Sequence, residues 1–142
     1  MNENPIETVE LELAILIRRV TSITKNKEFC SLDRSAYLLL HQIIVKGPAG
    51  VKALSDELHL DISTVSRQTA SLEQKNYVYR IPDPLDKRAY FLQITGKGKE
   101  EFYKYKQARL DKISKILKNW SEEDRELFGR LLRKYNRSIF ES

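Results

Sequence analysis

Residues 51–95 read VKALSDELHLDISTVSRQTASLEQKNYVYRIPDPLDKRAYFLQIT. Val51, Ala53, Leu54 and Leu58 recur at helical spacing over barely two turns, and His59-Leu60 leave room only for a tight connection. Asp61 is a good N-cap for a second helix, in which Ile62, Val65, Thr69 and Leu72 fall on the inward side. That leaves Ser63, Thr64, Arg67, Gln68 and Ser71 on the opposite face. Asn76 stands where a left-handed residue is wanted to end the helix, and Asn tolerates that backbone region. Residues 77–81 and 89–94 are aromatic and β-branched with alternating character, whereas 82–87 (PDPLDK) cannot continue either strand, so a hairpin with a long tip is expected. In order, these are the parts of a winged helix-turn-helix.

Working outward, Ile6, Val9, Leu13, Leu16, Ile17, Val20 and Ile23 repeat every three or four residues and predict an N-terminal helix with one apolar face. Asp33 should cap a further helix, with Tyr37, Leu40, Ile43 and Ile44 on one side and Gly47-Pro48 ending it. Thr95 caps a long polar helix bearing Phe102, Tyr105, Leu110, Ile113, Ile116 and Leu117. Ser121-Glu122-Glu123-Asp124 resembles a capping box and opens a last helix, along which Leu127, Leu131, Tyr135 and Ile139 recur every four residues. Long helices at both ends, each with an apolar stripe and no third layer to cover it, predict packing against a second copy of the chain.

At 142 residues, 41% hydrophobic and 32% charged, the chain fits one compact domain small enough for a partner to complete its core. No stretch approaches the apolar length of a membrane span, and the short apolar run at 13–17 follows Glu7, Glu10 and Glu12 rather than basic residues. A cytoplasmic protein without a signal peptide is therefore expected. The net charge of +5 and a pI near 9.3 favour anionic partners without demanding nucleic acid. One cysteine and two histidines rule out a disulfide framework and leave no metal-ligand set. The absence of a phosphate-cradling Gly-rich loop or a nucleophile with a supporting motif argues against an enzyme, and no cofactor is expected.

Groove readout uses short hydroxyls for phosphates and base edges, an Arg whose fork matches guanine, and an amide that pairs with adenine. Ser63, Thr64, Arg67 and Gln68 supply all three on one helical face. Asp86-Lys87-Arg88 is the second candidate: a carboxylate two residues from a guanidinium would pair with it and hold the Arg extended, and narrow minor grooves attract such an Arg. Lys52, Arg80, Lys97 and Lys99 read as solvated charges. Tyr37 and His41, one turn apart, are candidates for lining a small-molecule pocket. Cys30, near the start of the second helix, is a candidate redox switch, although lone cysteines more often act as small hydrophobes.

The order of elements and certain residues resemble the MarR family of bacterial transcriptional regulators. The resemblance covers Leu32-Asp33 with Tyr37, Ala53-Leu54 and Leu58, Ser63-Thr64-Val65-Ser66-Arg67, Leu72-Glu73, Asp83, Asp86, Arg88, Leu92, Ile94-Thr95 and Lys97-Gly98. Its most specific part is Asp86-x-Arg88 followed by Leu92-x-Ile94-Thr95. It implies a mainly α fold with a small β-hairpin wing, with 6–27 and 100–141 as dimerisation helices. It further implies a winged helix-turn-helix DNA-binding module at 33–99, with the wing at about 77–94.

The resemblance also implies an obligate homodimer on a pseudo-palindromic operator in double-stranded DNA. One recognition helix, contributing Ser63, Thr64, Ser66, Arg67 and Gln68, would enter each major groove. Lys87 and Arg88 would sit at the wing, with Arg88 in the flanking minor groove and Asp86 as its structural partner. Two such helices about a two-fold axis span roughly one duplex turn, about 34 Å. Many relatives are repressors released by small phenolic or lipophilic ligands, or by cysteine oxidation. In the peroxide-sensing branch the reactive cysteine lies inside the first helix, where this chain has none. Two alternatives stay open: a winged-helix adaptor that binds protein rather than DNA, and a redox-sensing regulator using Cys30.

Overall fold

The computed structural model describes residues 4–23 and 32–141, with only the backbone of 21–23. It comprises α1 (Pro5–Ile23), α2 (Arg34–Lys46), α3 (Val51–Leu58), α4 (Ile62–Gln74), β1 (Val78–Asp83), β2 (Asp86–Ile94), α5 (Gly96–Ile116) and α6 (Glu122–Glu141). Two compact units divide the chain, Met1–Phe102 and Tyr103–Ser142. Cys30 lies outside the described residues.

In the first unit, α2 begins where the Asp33 carboxylate accepts the Ala36 N–H at 2.8 Å, which satisfies one of the four N–H groups a helix start leaves without partners. It ends at Gly47, whose φ of 91° is open to glycine and whose N–H returns to Ile43 O. Helices α3 and α4 close with the same device. At the end of α4, Asn76 N–H donates to Glu73 O and Tyr77 N–H to Leu72 O, both at 2.9 Å, with Asn76 at φ 63°. At the end of α3, His59 takes φ 54° and the Leu60 N–H reaches Ser55 O at 3.0 Å. Each is a left-handed residue that lets its own N–H and the next one turn back onto the last carbonyls. Asn76 fulfils the sequence expectation; His59 was not anticipated.

Leu39, Leu40 and Ile43 of α2, Leu54 of α3, Val65 and Leu72 of α4, Tyr77 and Val78 leading into β1, Leu92 and Ile94 of β2, and Phe102 of α5 are buried. Every element of the module thus contributes to one apolar centre. Two buried hydroxyls are satisfied within their own helices: Ser55 donates to Lys52 O and Thr69 to Ser66 O. One side chain lies opposite to expectation and another was passed over. Ile62 is exposed, because it is the first residue of α4 and lies ahead of the turn that packs on α3. Leu39 is wholly buried, since the inward stripe of α2 is wider than a single row of positions.

The hairpin is longer and its tip shorter than expected. β1 and β2 pair antiparallel from Val78↔Ile94 to Pro82↔Tyr90, then resume at Asp83↔Asp86 after a register shift. Only Pro84 and Leu85 lie between the strands. Pro82 is accommodated because β1 pairs with β2 alone and the shift follows immediately; an edge strand and an irregularity are the places a strand tolerates Pro. On the other side of β2, Ala49 and Leu92 exchange two main-chain hydrogen bonds, Leu92 N–H to Ala49 O at 2.8 Å and Ala49 N–H to Leu92 O at 3.3 Å. This bridge ties the base of the wing to the end of α2.

Thr95 joins the hairpin to α5. Its hydroxyl donates to Asn76 O at 2.6 Å and accepts the Gly98 N–H at 2.9 Å. Gly98 is needed for packing: a Cβ there would overlap the Tyr77 carbonyl oxygen and crowd Ile94. In the second unit, the Ser121 hydroxyl accepts the Asp124 N–H at 3.1 Å, and the Arg125 guanidinium donates twice to Leu117 O at 2.7 and 3.2 Å. Helix α6 then runs 20 residues without a buried side chain. No described helix is long and apolar enough to cross a membrane.

Candidate nucleic-acid interface

Burial follows the helical repeat along α4. Val65, Thr69 and Leu72 point inward, while Ser63, Ser66, Arg67, Ala70, Ser71 and Gln74 are exposed at spacings of three and four residues. The outer face is therefore polar and short-chained, with a single cation, Arg67. Ala70 and Gln74 were missed by the sequence reading, though carrying the 3.6-residue period two and three turns beyond Ser63 would have found them. Ala70 leaves a low profile midway along the helix, which favours close approach to a flat or grooved partner.

Thr64 is half-buried. Gln68 departs from its expected role: its Oε1 is shielded from solvent and receives no hydrogen bond. An amide with its carbonyl turned inward does not present the paired donor and acceptor that adenine requires. Its position beside Thr69 and Leu72, on the border of the buried stripe, accounts for this.

Asp61 stands at the N-cap of α4, as expected. Its carboxylate makes no full-strength capping bond to the helix N–H groups, the Thr64 main-chain N–H giving only its weakest contact; it accepts the Ser63 hydroxyl on one oxygen and the Thr64 hydroxyl, at 2.8 Å, on the other. Arg67 Nη2 approaches Thr64 Oγ1 at 3.5 Å. The Ser63 hydroxyl, followed by that of Thr64, lowers the Asp61 pKa from 3.8 to about 2. Ser63 and Thr64 are thus held on one carboxylate at the start of α4, with Arg67 joined to it through Thr64.

At the wing tip, Asp83 Oδ1 accepts the Leu85 N–H and Asp86 Oδ1 accepts the Arg88 N–H, both at 2.9 Å. These short side-chain-to-backbone loops fix the turn. The anticipated carboxylate–guanidinium pairing of Asp86 with Arg88 is replaced by this main-chain contact. Geometry favours it, because an Asp reaches the N–H two residues on without ordering a long side chain. Lys87 and Arg88 are exposed and fall in the part of β2 that the register shift leaves without Cα partners on β1. Leu85, at the extremity, is 95% exposed.

Arg80 is not a free cation. Its Nε lies 3.0 and 2.9 Å from the two Glu73 carboxylate oxygens, and its guanidinium carbon sits 4.1 Å from the centre of the Tyr90 ring. This contact spans from the last turn of α4 to both strands of the wing. Lys97 Nζ lies 5.6 Å from the Tyr77 ring centre. Lys52 remains exposed. Tyr37 stacks on Phe102 with ring centres 4.8 Å apart and planes 7° from parallel, and His41 lies 6.4 Å from both rings. The pair proposed as a pocket lining is therefore grouped around Phe102, which the sequence had placed only as a helix residue.

A polar, small-residue helix after a tight turn, followed by a basic hairpin tip, is matched by the MarR family profile over residues 32–90. The HTH-type transcriptional regulator YxaD of Bacillus subtilis (strain 168) is 43% identical over 141 residues, covering 99% of both chains. The chain belongs to the MarR family. The MarR-family fold recurs in the MarR protein from Peptoclostridium difficile, at 25% identity and a TM-score of 0.75, covering 98% of this chain and 92% of that one. Streptococcus pneumoniae FabT, whose structure is of a complex with DNA, is similar over 96% of this chain and 98% of its own, at 21% identity and a TM-score of 0.76. As a MarR-family member, the protein is a transcriptional regulator and not an enzyme.

Proposed function

We propose that this regulator acts in the cytoplasm as a homodimer on a pseudo-palindromic operator in double-stranded DNA, occluding a promoter until a small lipophilic or phenolic effector releases it. In this reading α4 enters the major groove through Ser63, Ser66 and Arg67, with Thr64 behind them, while Lys87 and Arg88 reach the flanking minor groove. The observation that carries it is the composition of the outer face of α4. A protein-docking surface concentrates large apolar and aromatic anchors at its centre; here the centre is Ser66, Arg67 and Ala70. The DNA complex of FabT, which shares the fold, supports the same use of the module.

Dimerisation is supported by α6, on which Leu127, Leu131, Tyr135 and Ile139 are all exposed, from 41 to 50%. A stripe of that length on one helix face is a cost in water that a second copy removes. Effector control is assigned to the neighbourhood of Tyr37, His41 and Phe102, where aromatic faces and an imidazole nitrogen suit a phenolic compound.

Binding to random-sequence duplex across a salt series tests the reading. Phosphate contacts release counterions, so affinity should fall steeply as salt rises. An undetectable affinity at low salt would transfer the protein to the adaptor class.

A further inference from the structure

The hydroxyls of Ser63 and Thr64 have a defined polarity. A hydroxyl ordinarily offers one proton and two lone pairs and turns to suit its partner. Here both protons are directed to one acceptor, the Asp61 carboxylate. An ionised carboxylate has no proton to return, and its low pKa keeps it ionised throughout the neutral range. Thr64 Oγ1 also has a lone pair turned to Arg67 Nη2. Ser63, exposed at the first turn of α4, is left with acceptor positions alone facing outward.

We propose that Asp61 is a specificity-determining positioning residue, which fixes Ser63 as a hydrogen-bond acceptor so that α4 selects a base carrying an exocyclic amino group, adenine or cytosine, at the operator position facing Ser63. This rests on the DNA-binding reading above and deepens it. In the major groove the donors on offer are adenine N6 and cytosine N4, whereas guanine O6 and N7 and thymine O4 are acceptors. An acceptor-only Ser63 meets the first pair favourably and leaves the second facing lone pairs. The same polarity turns Ser63 away from phosphate oxygens, which require a donor, and the Asp61 charge adds repulsion. Ser63 is thereby reassigned from a general backbone contact to base readout, while Arg67 keeps the acceptor edge of guanine and Lys87 and Arg88 the flanking minor groove.

The test is selection of bound sequences from duplexes with a randomised core by the full-length parent, Asp61→Ala, Ser63→Ala and the double variant, with folding checked by circular dichroism. The strong bonds of Asp61 run to the Ser63 and Thr64 hydroxyls and not to a main-chain N–H of α4, so Asp61→Ala should retain the helix, which the circular dichroism spectrum checks. The parent should show about a tenfold preference for adenine or cytosine over guanine or thymine at one position per half-site. Asp61→Ala should lose that preference while still binding duplex, because the freed Ser63 hydroxyl can then donate as well. Ser63→Ala should lose it too, and removing Asp61 in that background should change nothing further at the position. Asp61→Ala binding with the parent's base preference intact would overturn the inference alone. A parent without duplex affinity at low salt would overturn it together with the DNA-binding reading.

Discussion

Helices α4 and α6 are both amphipathic, yet they complete themselves differently. The inward stripe of α4, Val65, Thr69 and Leu72, is buried by α3, α2 and the strand that follows it. The stripe of α6, Leu127, Leu131, Tyr135 and Ile139, is as regular and buries nothing. A helical period therefore announces which face will be covered without saying by what. In α4 the covering groups lie within forty residues of chain, and the polar side is left free for function. In α6 the apolar side is the unfinished one, and the proposed dimer finishes it.

The sharpest way to break this contrast is a charge in the α6 stripe. Leu131→Asp should give a monomer by sedimentation and lower operator affinity by more than about a hundredfold, because half-site binding loses its linked second copy. A dimer of parental affinity would show that the stripe serves something else. Next is Gly98→Ala, which drives a Cβ into the Tyr77 carbonyl where α4, the hairpin and α5 meet. It should destabilise the module by about 1–3 kcal/mol in urea unfolding, and an unchanged midpoint would contradict the close approach. Arg88→Ala removes an exposed cation outside the core, so affinity should fall about tenfold at matched salt with the unfolding midpoint unaltered.

The smallest effect concerns Asp61. Its carboxylate is stabilised in the folded state, with a pKa lowered from 3.8 to about 2. Its contribution to stability is therefore complete above pH about 4 and is lost as pH falls toward 2. The difference in acid-unfolding curves between the parent and Asp61→Ala should close across that window. Curves that stay parallel through it would remove the carboxylate from the network.

Much of the module was legible because local rules and tertiary packing agree in it. Asp33, Asn76, Thr95 and Ser121 end or begin helices through bonds to neighbours a few residues away, and their residue types reveal this. His59 was missed because His gives a weak signal for a left-handed position compared with Asn. The Ala49–Leu92 bridge was invisible for another reason: one residue between Pro48 and Gly50 carries no alternation, and its partner is more than forty positions distant. The site was legible as a face but not as a network. Ser63, Thr64 and Arg67 were found by spacing, whereas the inward carbonyl of Gln68, the engagement of Arg80 by Glu73 and Tyr90, and the role of Asp61 depend on where side chains settle. For Asp86 the position was foreseen and the bond was not, since its carboxylate has two suitable donors within reach.

By itself, the sequence determined the number and type of elements, the family, and the polar face of α4, because these follow from periodicity, caps and turn residues that act over a few positions. Tertiary structure decided which donors each carboxylate receives. A carboxylate chooses among several nearby hydroxyls, amides and guanidinium groups by distances that only the packed chain sets, and at Asp61 that choice gives Ser63 its direction.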